Sequence, residues 1–258
     1  TLRFGNSSAL DLRGSRLALA QGGTLVHNYA SVLSNGFVRS LAPSGALFTL
    51  LHQDLTVQAV IEDDDVAGPT ALVKAGRSDR TLSLAGQNTY SGGTYINEGY
   101  VKVVTGGKLG FGDVFVIPSY TSGSYPAYLW FNNADTSRNV VRNLFSPAAT
   151  VKAAGSGQVD LTIEGWTTNM VFESSAGIFN IDLKGPAKVS AFRCSGGRMN
   201  VRWNNPVLAA DTLEVNSATG VMELDSPLAV PVVCNAYIRH GSDTATTRFV
   251  GGIWQVLS

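Results

Sequence analysis

The stretch Leu82-Ser-Leu-Ala-Gly-Gln-Asn-Thr-Tyr-Ser-Gly-Gly-Thr-Tyr-Ile-Asn-Glu-Gly-Tyr-Val-Lys-Val-Val104 decides the fold class of this chain. Two short runs of alternating apolar residues flank a turn rich in Gly, Asn and Ser. A second Gly-rich corner follows at residues 106–112, and a third apolar run follows at 114–116. Alternation with a period of two indicates strands, and Gly-rich breaks indicate turns. The rhythm favours a chain that coils around one axis.

The rest of the chain carries the same signature at a longer period. Alternating pairs begin at Leu161, Phe179, Met199 and Met222, with spacings of 18, 20 and 23 residues. A period near twenty is typical of a β-solenoid, in which each coil buries its apolar face by stacking on the next. A β-sandwich is the alternative, but it favours spacings of 8–12 residues and hairpin turns. The sequence therefore predicts an all-β fold, a β-solenoid.

Composition limits the function classes. The chain has 258 residues, 44% of them apolar, and 19 basic residues balance 19 acidic ones. This neutral balance gives no electrostatic footprint for nucleic acid or an anionic membrane. No apolar run is long enough for a membrane-spanning helix, so we expect neither a nucleic-acid partner nor membrane insertion. Cys194 and Cys234 lie forty residues apart; sequence leaves open whether they pair, and buried free thiols are the favoured interpretation.

Two regions depart from the period of twenty. Residues 118–147 are rich in aromatic, Ser, Gly and Asn residues, which predicts an aromatic-rich insertion in a β-helix spanning residues 1–226. Residues 227–258 combine two prolines with the strand-like runs around Phe249 and Trp254. They predict a β-rich C-terminal cap with a closing hairpin, because a solenoid must cover its last open coil. The chain begins at Thr1 without a leader, which favours a fragment over a processed terminus.

Residues 55–116 resemble the passenger-associated repeat of bacterial autotransporters. The match runs through the positions Leu82, Leu84, Gly86, Asn88, Tyr90, Gly92, Gly93, Thr94, Ile96, Gly99, Val103, Leu109 and Gly110. The ending, residues 248–258, is similar to that of phage tail fibres and tailspikes. The first resemblance implies a right-handed parallel β-helix on an exported protein. Both imply a location at a bacterial or virion surface, and the second implies a homotrimer. They further imply adhesion or binding to a cell-surface glycan or protein receptor.

A polysaccharide depolymerase is the alternative function, since the β-helix scaffold hosts both. When the apolar pairs are aligned, Glu164 and Asp182 become outward neighbours, with Arg202 and Asp225 on the following coils. Paired carboxylates are the groups that a glycosidase needs. Glu164 and Asp182 are therefore the best catalytic pair, and a solvated charge ladder is the competing interpretation.

Aromatic side chains are the candidate ligand-binding groups, because exposed rings suit sugar rings and protein interfaces. They are Tyr120, Tyr125, Tyr128, Trp130, Trp166 and Trp203. The alternative is that these rings are buried against a coil or a subunit. The acidic run Glu62-Asp-Asp-Asp65 lacks the spacing of a calcium loop, and the three histidines are scattered. We therefore expect no metal site and no cofactor, and an exposed solvated turn at residues 62–65.

Overall fold

The computed structural model describes residues 2–4, 7–20, 24–27, 29–117, 127–205, 207–234 and 236–256. Within these ranges every extended element is a β-strand, and no helix is present. Every strand pair with a stated register is parallel. The chain divides into two compact units, residues Thr1–Trp130 and Phe131–Ser258.

The strands that begin in the first unit are β1 (Leu2–Phe4), β2 (Ala9–Asp11), β3 (Arg16–Leu19), β4 (Thr24–His27), β5 (Ser31–Ser34), β6 (Phe37–Ser40), β7 (Ala46–Leu51), β8 (Leu55–Val57), β9 (Val60–Ile61), β10 (Ala71–Gly76), β11 (Thr81–Leu84), β12 (Thr94–Ile96), β13 (Tyr100–Val104), β14 (Val114–Val116) and β15 (Tyr128–Asn132).

The strands of the second unit are β16 (Ser137–Val141), β17 (Leu144–Ala154), β18 (Gln158–Ile163), β19 (Thr167–Ser174), β20 (Ile178–Leu183), β21 (Ala187–Cys194), β22 (Arg198–Trp203), β23 (Val207–Leu208), β24 (Ala210–Val215), β25 (Val221–Asp225), β26 (Pro231–Cys234), β27 (Tyr237–His240), β28 (Thr246–Val250) and β29 (Ile253–Val256).

Strands of the first unit pair with strands one coil further along the chain. One ladder joins β1, β4, β7, β10, β12 and β14. A second joins β2, β5, β8, β11 and β13, and a third joins β3, β6 and β9. Successive coils thus stack strand on strand in parallel ladders, which is the topology of a β-solenoid. The β-solenoid prediction is confirmed, and the β-sandwich is excluded, because sandwiches are built from antiparallel strands.

The second unit repeats this architecture. One ladder joins β17, β19, β21, β24 and β27. Another joins β16, β18, β20, β22, β25 and β28, and a short third one joins β23, β26 and β29. The right-handed sense of the coils stays a prediction, one that the usual hand of parallel crossovers favours.

The interior of each unit is filled by every second strand residue, as the alternating pattern predicts. In the second unit this interior contains an aromatic cluster. The Phe172 and Phe192 rings stack at 5.5 Å, and Trp203 meets Phe192 edge-on at 6.3 Å. All three side chains are completely buried. Such stacking along the ladders adds ring–ring attraction to simple area burial.

The opening motif, residues 82–104, contains a corner at which three successive coils are in contact. The Asn88 side chain accepts a hydrogen bond from the Ile61 N–H (2.8 Å) and donates one to the Lys108 carbonyl (2.7 Å). It is 1% exposed, so both bonds are shielded from water. Tyr90 is fully buried beside it and bonds the Thr94 hydroxyl at 2.7 Å. The polar residues of this motif therefore join successive coils.

The acidic run 62–65 is more ordered than an exposed turn, which corrects the prediction for its two central residues. Asp63 accepts bonds from the N–H groups of Thr70 (2.7 Å) and Ser91 (2.8 Å). Asp64 is 7% exposed and pairs with Arg39 at 3.0 Å. Its carboxylate also accepts two backbone N–H bonds, which, together with Arg39, lower its pKa. Only the Asp65 side chain, 98% exposed, fits the predicted solvated turn.

The region predicted as an aromatic-rich insertion is in part regular. Residues 118–126 lie outside the described ranges, so the insertion prediction is not assessed there. From residue 127 onward the chain forms ladder strands, because β16 pairs in parallel with β18 over five residues. The described part of the predicted insertion, residues 127–147, therefore belongs to the coils.

The described residues of the segment predicted as a C-terminal cap, 227–234 and 236–256, contain the strands β26, β27, β28 and β29. Its strands nevertheless extend existing ladders, with β27 on β24, β28 on β25 and β29 on β26. The expected hairpin at Gly251 and Gly252 is instead a corner between β28 and β29, which belong to two different parallel ladders. Both glycines have positive φ there, and the Trp254 indole donates to the Gly251 carbonyl at 2.9 Å. The cap is thus a further coil of the second unit.

Candidate functional site

An open groove of about 540 Å³ lies on the outer face of the sheet that contains β18, β20, β22, β25 and β28. It is lined by Asp160, Leu161, Thr162, Asn180, Ile181, Asp182, Asn200, Val201, Arg202, Glu223, Asp225 and Val250. Leu161, Ile181 and Val201 point inward, whereas Val250 lies opposite Asp225 and faces outward with it, so polar side chains provide most of the ligand-accessible atoms. This groove belongs entirely to the second unit.

The strand alternation produces two outward rows of polar residues across the groove. The inner row contains Asp160, Asn180, Asn200 and Glu223, and the outer row contains Thr162, Asp182, Arg202 and Asp225. Their registers follow from the ladder pairings of β18, β20, β22 and β25. Because neighbouring strands are about 4.8 Å apart, each row presents a regular series of polar groups.

The side chains of the inner row are hydrogen-bonded to one another. The Asn180 amide donates to Asp160 Oδ1 (2.7 Å), and the Asn200 amide donates to Asn180 Oδ1 (2.7 Å). The Asn200 oxygen accepts from Arg198 Nε at 2.8 Å. An ionised carboxylate only accepts and a guanidinium only donates. These two ends therefore fix the orientation of both amides.

The charges beside the inner row are also paired. Arg198 contacts the Glu223 carboxylate at 2.5 Å. Asp160 accepts a bond from the Gln158 amide at 2.7 Å and lies 3.5 Å from Arg138 Nε. The inner row is therefore rigid, and most of its hydrogen-bonding capacity is used within the protein.

The outer row is different, because its polar groups keep unused capacity. Asp182 accepts one bond, from the Asn204 amide at 3.2 Å. Within the described ranges, neither Asp182 nor Arg202 nor Asp225 has an ion-pair partner within 4.0 Å. Arg202 is exposed and the two carboxylates are half-buried. The outer row thus offers open donors and acceptors to a ligand.

The predicted catalytic pair Glu164 and Asp182 is not brought together as expected. Leu161 pairs with Ile181, not with Phe179, so the first coil is shifted by two residues from the predicted alignment. Asp182 consequently lies opposite Thr162. The alignment of Phe179, Met199 and Met222 is confirmed. The physical reason for the error is that the apolar alternation of β18 begins at Val159, which is the residue that pairs with Phe179, so Leu161 is the second inward residue of its strand.

Glu164 has a different partner. Its carboxylate accepts a bond from the Lys184 ammonium at 2.9 Å, and this bond raises the pKa of Lys184. Both side chains are solvent-exposed, at 41% and 48%. A carboxylate engaged by an ammonium on the protein surface is poorly suited to act as a general acid. Glu164 is therefore part of a surface ion pair.

The predicted aromatic binding residues lie in different environments. Tyr120 and Tyr125 lie outside the described residues. The Tyr128 ring stacks on Tyr100 at 5.4 Å with nearly parallel planes. The Lys102 ammonium lies 4.4 Å from the Trp130 ring centroid. One face of each ring, Tyr128 and Trp130, is thus already covered by a neighbour within the first unit.

The two other predicted tryptophans, Trp203 and Trp166, differ in solvent exposure. Trp203 is completely buried, which corrects the expectation that it lies on the outer surface. It follows Met199 and Val201 at alternate positions of β22, so its side chain points inward with theirs. Trp166 is 57% exposed at the corner after β18. It is the predicted aromatic residue that remains available for a ligand in the second unit.

In the described part of the chain, no group of three or more His, Cys, Asp or Glu side chains is placed to hold a metal ion. Cys194 is a buried free thiol whose pKa is raised by desolvation. No helix long and apolar enough to cross a membrane is found among the described residues.

The sequence interpretation missed the inner row entirely. Asn180 and Asn200 carry no charge and belong to no known motif, so nothing singled them out. Their positions in the alternating pattern could have identified them. Each asparagine lies one residue before an inward apolar side chain, and the two asparagines are twenty residues apart. Applying the period to polar residues as well as to apolar ones would have found them.

Comparison with known proteins leaves the family open. No protein-family model matches the sequence, and neither the curated proteins nor the solved structures contain a match. The resemblances to autotransporter passengers and to tail fibres therefore stay predictions. The β-solenoid itself rests on the observed parallel ladders.

Proposed function

We propose that this chain is an extracellular, non-enzymatic adhesion module that binds a cell-surface receptor, and that the receptor is a glycan held in the groove of the second unit. The observation that carries the proposal is the outer row of open polar groups, Thr162, Asp182, Arg202 and Asp225, on a fixed parallel ladder. Sugars bind through hydroxyl groups that both donate and accept. Carboxylates accept and guanidinium groups donate, so the outer row complements such a ligand.

Preorganisation supports binding in this groove. The side chains project from strands that are paired on both sides, so little backbone entropy is lost when a ligand binds. The inner row holds its amides in one orientation before any ligand arrives. A rigid surface that needs no rearrangement suits an adhesion role.

A glycan array tests the proposal. Wild-type protein is compared with Thr162→Arg, which fills the groove, and with Thr168→Arg, which places the same side chain on another face of the second unit. We expect the wild type and Thr168→Arg to bind the same glycans and Thr162→Arg to lose them. Equal binding by all three proteins would place the receptor site elsewhere, and a protein receptor would then be the next candidate.

A polysaccharide depolymerase on the same scaffold is the second candidate function. Asp182 and Asp225 lie two strands apart in the ladder, so their Cα atoms are about 10 Å apart. Inverting glycosidases hold their two carboxyl groups roughly 6.5–9.5 Å apart, with a water between them. Here Arg202 lies on the intervening strand. This guanidinium between the two acids favours binding over hydrolysis.

Release of reducing ends from the polysaccharides that bind on the array separates the two functions. The binding proposal expects no release above that of Asp182→Ala and Asp225→Ala. Catalytic release that either substitution abolishes would replace adhesion by depolymerisation.

A homotrimer is the proposed assembly, and one face of the first unit supports self-association. The outward positions of β7, β10, β12 and β14 are Ala46, Phe48, Leu50, Ala71, Val73, Ala75, Tyr95 and Phe115. None of these is charged, and Phe48 and Leu50 are 39% and 37% exposed. Uncharged apolar faces on soluble proteins commonly mark interfaces. Sedimentation at several concentrations tests the assembly, with Phe48→Glu expected to weaken it and a monomer at all concentrations contradicting it.

A further inference from the structure

The outer row of the groove contains more negative than positive charges. It runs Thr162, Asp182, Arg202, Asp225 across four successive strands. Two carboxylates therefore flank a single guanidinium, and one negative charge is left over. The regular strand spacing keeps this order fixed, because each charge lies on a different rung of the ladder.

The surplus charge is not removed by the inner row. Asp160 and Glu223 have their own cations, Arg138 and Arg198, at 3.5 and 2.5 Å. Arg198 also donates to Asn200 through Nε, so this guanidinium is held within the inner row. The remaining hydrogen bond to Asp182 comes from the neutral Asn204 amide. The outer row thus carries a net negative charge, and the exposed Arg248 lies opposite Glu223, at the edge of the inner row.

From this balance we infer that the groove selects glycans without acidic groups, and that Asp182, Arg202 and Asp225 are the selecting residues. This inference rests on the proposed glycan-binding function. A sugar hydroxyl donates to a carboxylate at the outer row without a charge penalty. A uronate, sialate, sulfate or phosphate group brings its negative charge next to Asp182 or Asp225, and like charges at close range are unfavourable.

Arg202 does not reverse this preference. It is exposed and stands between two carboxylates, so an acidic ligand that reaches it also meets Asp182 and Asp225. A neutral ligand has no such conflict, because its hydroxyls accept from the guanidinium and donate to the carboxylates on either side. The row is therefore complementary to alternating donors and acceptors.

The test uses an array of neutral polysaccharides (dextran and mannan fragments), an amino-bearing one (chitosan fragments) and acidic ones (polygalacturonate and heparin fragments). It is probed with the wild type, with the double variant Asp182→Asn and Asp225→Asn, and with the control Asp211→Asn. The control removes one exposed carboxylate from a different face of the same unit. Thermal unfolding curves of all proteins show that each is folded.

We expect wild type and the Asp211→Asn control to bind neutral or amino-bearing fragments at least tenfold more tightly than acidic ones. In the double variant, the ratio of these two affinities should fall at least fivefold, mainly because the variant binds the acidic fragments more tightly. Preferential wild-type binding of acidic fragments, or a double variant with unchanged preference, would overturn the inference while leaving glycan binding in place. Binding to no fragment of any class would overturn the inference together with the proposed function.

Discussion

The Tyr90 ring lies against the backbone of Gly110. A Cβ atom built at position 110 would come within 2.6 Å of two ring carbons of Tyr90 and would also clash with the Tyr90 carbonyl oxygen. Real Cβ atoms do not approach other atoms so closely. Tyr90 is completely buried, so the ring has no space into which it can move.

Gly110→Ala is therefore expected to destabilise the first unit by about 1–3 kcal/mol, the usual cost of overpacking. The free energy of unfolding, measured by urea denaturation, checks this value. An effect within about 0.5 kcal/mol of zero would mean that the corner has more room than the packing indicates.

Asp63 and Asp65 give a matched pair within one acidic run. Asp63→Ala removes the acceptor for the Thr70 and Ser91 N–H groups, and unsatisfied partly buried donors cost about 1–3 kcal/mol. Asp65→Ala removes an almost fully exposed side chain, whose 4.0 Å contact with Arg39 contributes little. We expect the first substitution to lower the midpoint of thermal unfolding clearly and the second to leave it nearly unchanged. Equal shifts would show that the run is merely a solvated turn.

Lys74 predicts a specific pH dependence. Its side chain is buried, its ammonium donates to the Glu98 carbonyl at 2.8 Å, and desolvation lowers its pKa from 10.5 to about 8. Between these two values the unfolded chain binds the proton and the folded chain does not. The contribution of Lys74 to the free energy of unfolding therefore rises with pH across this window, by roughly 3 kcal/mol in total.

The measurement compares wild type with Lys74→Met from pH 7.5 to 10.5, which cancels the titration of other groups. Wild type should gain stability relative to the variant as the pH rises. Parallel stability curves would show that the Lys74 ammonium keeps its ordinary affinity for the proton.

Among the predicted aromatic residues, Tyr128 contacts another strand of its ladder, whereas Trp166 is the candidate ligand contact. Trp166→Ala is expected to weaken glycan binding at least fivefold, because an exposed indole next to the end of β18 is free to stack on a sugar ring. Tyr128→Ala is the control, since that ring stacks on Tyr100. Affinities from isothermal titration calorimetry decide the matter. A larger loss with Tyr128→Ala than with Trp166→Ala would move the site to the first unit.

The alternation of residues 82–104 and the period near twenty were sufficient to predict a parallel β-solenoid. Leu82, Leu84, Val101 and Val103 are completely buried, as their parity requires. The candidate site was harder to predict, because its register depends on which inward residue of one strand is aligned with that of the next. The shift at Leu161 moved Glu164 away from Asp182, whereas Asp182, Arg202 and Asp225 were aligned correctly. Hydrogen-bond partners such as Asn180 and Asn200 become visible only once the strands are stacked.

The groove of the second unit can be tested by nuclear magnetic resonance, with the array glycan that binds wild type most tightly added to isotope-labelled protein. Backbone amide shifts should change in β18, β20, β22 and β25 around Thr162, Asp182, Arg202 and Asp225, and the ladders of the first unit should stay unchanged. Shift changes confined to the first unit, or no change at saturating glycan, would contradict binding in this groove.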